Sequence, residues 1–172
     1  LSDQVWKITK RRFPWLAVNL VTSIIASIVI GLFDRAIGQL VALAILMPIV
    51  ASMGGNAGTQ TMTVAVRAIA LRQLDATATR QFVLRELIVA TTNGLLFAAL
   101  AAGLSYVWFG DPEIAIVMAV AMMANLLVAG LSGTFIPVGL MRAGVDPAVA
   151  SSVFVTTITD VVGFFVFLGL AA

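Results

Sequence analysis

Five long apolar stretches constrain the fold of this chain more than any other feature of its sequence. They cover residues 13–33, 36–70, 87–109, 113–141 and 147–172. An α-helix needs about 20 apolar residues to cross the hydrocarbon core of a bilayer. Because lipid offers no hydrogen-bond partners to the backbone, such segments have to satisfy their own backbone groups as helices. The sequence therefore predicts an all-α membrane protein with five transmembrane helices.

Composition supports a membrane domain and excludes several kinds of chemistry. Of the 172 residues, 61% are hydrophobic and 10% are charged, whereas a soluble domain carries about 25% charged residues. The chain has no cysteine and no histidine, which excludes disulfides, thiolate metal sites and imidazole chemistry. Because no soluble basic domain is present, we do not expect nucleic acid as a partner.

The basic residues predict the orientation of the helices. If the N-terminus is cytoplasmic, five spans place the C-terminus outside, and of the ten Lys and Arg residues only Arg35 lies on the outer side. This bias follows the positive-inside rule. The other basic residues are then cytoplasmic: Lys7, Lys10, Arg11, Arg12, Arg67, Arg72, Arg80, Arg85 and Arg142.

The second apolar stretch contains residues that are uncommon inside a helix. Pro48 removes one helical hydrogen bond. Gly54, Gly55 and Gly58 weaken the helix and allow another backbone to approach closely. We therefore expect the second helix to be interrupted and to pack closely on its neighbours.

A row of polar side chains follows the glycine pair, and we name it the polar row: Asn56, Thr59, Gln60 and Thr63. Their i, i+3, i+4 and i+7 spacing places all four on one face of a helix. Hydrogen bonds between helices would explain one or two such residues. Four in line beside a glycine cluster favour a water-filled path, since broken backbone at membrane depth is tolerated against protein or water.

Asp160 in the fifth stretch is the predicted functional centre. The predicted spans place no other ionisable residue deep in the membrane, so no Lys, Arg or His is expected to pair with it. An intramembrane carboxylate is costly and by default indicates an ion or proton path. Ser152, Thr156 and Asp160 are one helical turn apart and Gly163 follows, which makes this face polar or small.

Single amide side chains inside the other spans are interpreted as hydrogen-bonding groups rather than as parts of an ion path. Asn19, Asn93 and Asn125 each stand among apolar residues. A single amide in lipid is satisfied by a hydrogen bond to a neighbouring helix. We therefore expect each of these three to link helices.

The available donors favour a hard cation. Carboxylate, amide, hydroxyl and carbonyl oxygens suit ions such as Mg²⁺. One carboxylate cannot surround a divalent ion, and Mg²⁺ usually retains several waters. Two copies of Asp160 on a two-fold axis would hold a hydrated divalent cation through its water shell. The spacing alone leaves a proton relay and monovalent transport open.

Three segments of the chain resemble the MgtE family of magnesium transporters: PIVASMGGNAGTQ, RRFPWLAVNL and GVDPAVASSVFVTTITDVVGFF. The resemblance covers residues 11–172 and only the membrane domain of the family. It implies that residues 13–172 form a five-helix pore domain and that residues 1–12 are the end of the cytosolic connecting (plug) helix. The family's cytosolic N-terminal and CBS domains are then expected to precede this segment in the full-length protein.

The resemblance also implies the residues of the ion site. Family members are homodimers whose second and fifth spans line a pore, and Asp160 matches the aspartate that binds hydrated Mg²⁺ there. The carbonyl of Thr156 belongs to the same site, as does Ser152, which replaces an Asn of some members. Asp146 is expected to help bind a regulatory cytosolic Mg²⁺ and also suits a helix cap. The expected pore lining comprises Gly54, Gly55, Gly58, Gly163 and the polar row.

The function predicted from these residues is Mg²⁺ influx through a dimeric, channel-like pore in the cytoplasmic (inner) membrane. Other divalent cations are further candidate substrates, and membrane lipid surrounds the dimer. The alternative is a proton-coupled cation carrier with Asp160 as the relay. An enzyme is not expected, because aspartyl proteolysis needs two carboxylates and zinc proteolysis needs histidine ligands.

Overall fold

A computed structural model describes residues 2–71 and 76–172, and the described residues form α-helices joined by short turns. The helices are α1 (Ser2–Gly31), α2 (Asp34–Gln39), α3 (Val41–Ala70), α4 (Ala76–Phe109), α5 (Pro112–Arg142) and α6 (Pro147–Ala171). All of these except α2 are long and apolar enough to cross a membrane. The predicted all-α fold with five membrane-spanning helices is therefore confirmed, and the chain is a multi-pass membrane protein.

Helix α3 corrects the position of the predicted interruption. It is helical from Val41 to Ala70, and both Pro48 and the glycines lie inside it. The predicted stretch 36–70 is divided instead at Leu40, whose backbone leaves the helical region between α2 and α3. An interior Pro costs about 3 kcal/mol and each Gly about 1 kcal/mol. Packing of α3 against α5 and α6 offsets these local costs.

The first and third spans begin earlier than predicted. Helix α1 is continuous from Ser2 to Gly31, and Pro14 lies inside it. The same helix joins residues 2–12 to the first span without a break. Helix α4 begins at Ala76, about three turns before the predicted start at residue 87. Leu1 of the predicted connecting segment and Arg72 of the predicted cytoplasmic set lie outside the described residues.

Helix α5 is the centre of the bundle and α1 lies at its edge. Helix α5 packs against α3, α4 and α6. Its Met118 and Met122 form a core with Leu43 and Leu46 of α3 and with Phe167 of α6. Helix α1 packs mainly on α6, and most of its large apolar side chains are exposed. Four helices therefore hold the polar groups described next, and α1 flanks one side of them.

Candidate ion pathway

Helix α6 carries the predicted site residues along one side. Ser152, Thr156 and Asp160 are partly exposed, and Gly163 is buried. The hydroxyl of Thr156 donates to the carbonyl of Ser152 at 2.9 Å. The carbonyl of Thr156 accepts a hydrogen bond from the hydroxyl of Thr159 at 3.0 Å. The hydroxyl of Thr156 is thus satisfied by a hydrogen bond within α6. The carboxylate of Asp160 has no such bond to the described residues.

Asp160 is a partly buried carboxylate. Its side chain makes no hydrogen bond or ion pair with residues 2–71 or 76–172, and the ion pair found in those ranges joins Arg85 to Glu86. The same residues contain no group of three acidic side chains that would enclose a metal ion. A carboxylate at this depth is costly unless water or a cation compensates its charge.

Two arginines lie beside the half of this face that is predicted to be cytoplasmic. Ser152 and Thr156 line a cavity of about 430 Å³ between α1 and α6. Arg11, Arg12 and Asn19 line the same cavity from α1. Two of the predicted site residues therefore border open space within the chain.

The glycines of α3 and α6 lie in two different environments. A Cβ atom at Gly54 would collide with the amide of Asn125, and one at Gly58 would lie 2.5 Å from Cγ1 of Val155. A Cβ at Gly163 would lie 2.7 Å from Nδ2 of Asn125. These three glycines are buried where helices pack within one chain. A Cβ at Gly55, in contrast, would make an ordinary contact of 3.9 Å with Thr156.

Asn125 of α5 contacts both α3 and α6. Its Nδ2 donates a hydrogen bond of 2.7 Å to the carbonyl of Val50 in α3. Its Oδ1 is buried and has no hydrogen-bond partner among the residues that the structure describes, and its amide fits between Gly54 and Gly163. The helix-to-helix hydrogen bond predicted for Asn125 is confirmed, whereas the side chains of Asn19 and Asn93 make no hydrogen bond with the described residues.

The polar row follows one face of the continuous helix α3, as its spacing predicted. The hydroxyls of Thr59 and Thr63 donate to carbonyls one turn earlier, at 2.7 Å and 2.8 Å. The Nδ2 of Asn56 donates to the hydroxyl of Ser52 at 3.3 Å, and Asn56 and Gln60 line a cavity of about 300 Å³ together with Asn93 of α4. On a helix this face lies opposite Gly54 and Gly58, so the polar row is on the accessible side of α3.

Glu86 is a buried ionisable residue that the sequence analysis missed. Its exposed fraction is 8%, and it lies inside α4 because this helix starts well before residue 87. Asp160 is therefore not the only ionisable residue inside a span. Phe82, Glu86 and Ala90 are all buried and one turn apart. That spacing was the signal that would have placed Glu86 on the buried face of α4.

Asp146 caps the N-terminus of α6, as predicted. It is exposed, and its Oδ1 accepts a hydrogen bond of 2.9 Å from the backbone N–H of Ala148. Gly144 before it has a φ of 74°, which glycine adopts without strain. The turn thus starts α6 at Pro147.

Substitution of Asp146 separates its capping role from its charge. We expect Asp146→Ala to lower stability by about 1 kcal/mol, because the cap hydrogen bond is lost. Asp146→Asn should retain nearly full stability, since Asn caps as well as Asp. Thermal unfolding of the purified chain in detergent measures both effects. An equal loss in the two variants would contradict the capping role.

Five helices that are long and apolar enough to cross a membrane define a multi-pass membrane protein. The sequence model of the MgtE family, described as "Divalent cation transporter", matches residues 47–170. The chain belongs to the MgtE family. The resemblance stated from its motifs is thereby confirmed, and the family is one of transporters rather than enzymes.

Three relatives carry the name "Magnesium transporter MgtE". That of Bacillus subtilis is 34% identical over 161 residues, 94% of this chain and 36% of the relative. That of Thermus thermophilus is 34% identical over 160 residues, 93% of this chain and 35% of the relative. That of Enterococcus faecalis is 27% identical over 172 residues, 100% of this chain and 38% of the relative. The chain thus spans little more than a third of the length of these relatives.

Proposed function

We propose that this chain conducts Mg²⁺ into the cell as the pore domain of a two-fold homodimer in the cytoplasmic (inner) membrane. The observation that carries the proposal is the unpaired carboxylate of Asp160 inside a membrane-spanning helix. The three relatives named as magnesium transporters support Mg²⁺ as the substrate.

The ion is recognised in its hydrated form. A single carboxylate provides too few ligands for a bare divalent ion, and Mg²⁺ retains several waters when it binds proteins. Two Asp160 side chains across the dimer axis supply two negative charges to the water shell. The carbonyl of Thr156 and the side chain of Ser152 contribute further oxygen atoms along the same helix.

Helix α3 supplies the other wall of the pore. Gly55 of α3 lies beside Thr156 of α6, since a Cβ there would be in ordinary contact with it at 3.9 Å. Of the polar row, Thr59 and Thr63 then offer hydroxyl groups to the waters of the passing ion, while Asn56 and Gln60 border the cavity between α3 and α4. Gly54, Gly58 and Gly163, which were expected in the pore lining, instead support this wall from behind, because they are buried and let α3, α5 and α6 pack closely.

Cytosolic Mg²⁺ favours closure through Asp146 in the full-length protein. Its carboxylate is exposed at the start of α6, where it can cap the helix and also face a cation held by the family's cytosolic domains. The orientation that this requires, with a cytoplasmic N-terminus and an outer C-terminus, follows the bias of the basic residues.

Flux measurements in liposomes test the function directly. Purified chain in liposomes loaded with a Mg²⁺-sensitive dye is expected to admit Mg²⁺ down its concentration gradient, without any pH gradient. Matched protein-free liposomes provide the control. Uptake that requires a pH gradient would instead favour the proton-coupled carrier, and no Mg²⁺ entry under either condition would refute the pore.

The homodimer predicts proximity of the two α6 helices. The chain has no cysteine, so crosslinking through a single introduced Cys reports the proximity of that one position in two chains. Phe164→Cys, one turn after Asp160, is expected to form a covalent dimer with a short bismaleimide in membranes. Val107→Cys on α4, at the 83% exposed position, is the control and should remain monomeric. Equal crosslinking at both positions would contradict a dimer formed around α6.

A further inference from the structure

A second polar cavity separates α3 from α4. It has a volume of about 260 Å³, and its polar lining consists of Gln60, Thr61, Glu86 and Asn93. The two helices make few direct contacts, because each packs on α5 instead. We propose that this cavity binds a hydrated divalent cation at Glu86, separately from Asp160.

Two exposed amide side chains border this cavity. The side-chain amides of Gln60 and Asn93 make no hydrogen bond to any part of the chain that the structure describes. Within a membrane, polar groups directed at lipid are costly, so they face protein or water. The cavity between α3 and α4 is therefore a place for water and for a solute that carries its own water.

The donors and the volume fit a hydrated divalent ion. A carboxylate, two amides and a hydroxyl are hard oxygen donors, which suit Mg²⁺ and Mn²⁺. Six waters at roughly 30 Å³ each occupy about 180 Å³, less than the cavity volume of about 260 Å³. The ion can therefore enter with its water shell, and Glu86 compensates part of its charge.

Arg85 is the competitor for this carboxylate. One of its guanidinium nitrogens lies 3.2 Å from Oε1 of Glu86, while 63% of the Arg85 side chain is exposed. The other oxygen, Oε2, accepts a hydrogen bond of 3.3 Å from the hydroxyl of Thr61. Arg85 also lies over the ring of Phe82, at 5.3 Å from its centroid. An exposed guanidinium can move into water when a cation binds, so Arg85 weakens the site without blocking it.

The position of the site allows a bound cation to influence the position of α3. Gln60 is a member of the polar row, Thr61 follows it on α3, and Glu86 belongs to α4. A cation held among these residues links two helices that otherwise contact each other little. Its binding therefore favours one position of α3 relative to α4.

Metal binding in the absence of the Asp160 carboxylate tests this site. Binding of Mn²⁺ to the purified chain is measured by the loss of the free-ion electron paramagnetic resonance signal, with Mg²⁺ as competitor. Asp160→Asn is expected to retain one Mg²⁺-sensitive site. Adding Glu86→Gln should weaken this site by at least about tenfold, which corresponds to about 1.4 kcal/mol. Adding Glu113→Gln, at an exposed carboxylate on α5, should leave it unchanged.

Arg85→Gln provides a test of opposite sign. In the Asp160→Asn background it is expected to tighten Mn²⁺ binding several-fold, because the competing charge is removed. A purely structural ion pair predicts lower thermal stability in both Glu86→Gln and Arg85→Gln, and no change in metal affinity in either. That result, or no Mn²⁺ binding to Asp160→Asn, would overturn the inference.

The experiment separates this inference from the proposed function. Loss of flux in Asp160→Asn with Mn²⁺ still bound at Glu86 supports both. Normal flux in Asp160→Asn with Mn²⁺ bound at Glu86 refutes only the pore site. Loss of flux in Asp160→Asn without Mn²⁺ binding refutes only the site between α3 and α4.

Discussion

Asp160→Asn is expected to abolish or greatly weaken Mg²⁺ flux through the pore. The substitution keeps nearly the same side-chain volume and removes one negative charge from each chain of the dimer. At about 5 Å and an effective dielectric constant of about 20, a divalent ion and a carboxylate attract by roughly 7 kcal/mol before desolvation. Since about 1.4 kcal/mol changes binding tenfold, even a small net fraction of this attraction dominates occupancy of the site.

The variants of Asp160 separate charge from shape. Asp160→Glu should retain part of the Mg²⁺ flux and part of the Mg²⁺ block of monovalent current, because the charge remains at a shifted position. Asp34→Asn, at an exposed carboxylate in α2, is the matched control and should conduct normally. All variants are compared at equal protein in liposomes.

A proton relay at Asp160 predicts a different pattern. In that case Asp160→Asn loses pH dependence and still binds Mg²⁺ as before at the pore. Undiminished Mg²⁺ flux in Asp160→Asn would refute the assignment of this residue as the pore site.

Among Gly→Ala substitutions within the helices, Gly133→Ala is expected to destabilise the bundle most. A Cβ at Gly133 of α5 would lie 2.6 Å from the carbonyl oxygen of Gly58 and 3.1 Å from the backbone nitrogen of Met62. Backbone atoms of α3 cannot rotate away as a flexible side chain can. The helices have to separate, and overpacking of this kind costs about 1–3 kcal/mol or more.

Gly103→Ala is the matched control for this effect. Gly103 also lies inside a helix, α4, but a Cβ there would meet nothing within 4 Å. Alanine should therefore be neutral or stabilise by up to about 1 kcal/mol, because it favours the helix over glycine. Thermal unfolding in detergent and the monodisperse fraction in size-exclusion chromatography measure the difference. Equal behaviour of the two variants would show that α3 and α5 are not held backbone to backbone at Gly133.

The membrane spans, and the residues that share a helical face, could be predicted from the sequence because a backbone in lipid has few ways to satisfy its hydrogen bonds. Long apolar segments have to be helical, so the helical period alone placed the polar row on one face of α3. The cap at Asp146 also depends only on neighbouring residues, because a side chain and an N–H two residues later form it.

Only the tertiary structure decided which neighbours each of these helices meets. Continuity of α3 through Pro48 depends on packing against α5 and α6, whose residues are distant in the sequence. The same holds for Gly54 and Gly163, which contact one amide, that of Asn125, from two different helices. Glu86 is buried because α4 extends beyond its apolar stretch and packs that turn on the bundle. Local periodicity determines where a side chain points on its own helix, whereas burial depends on the helices that pack against it.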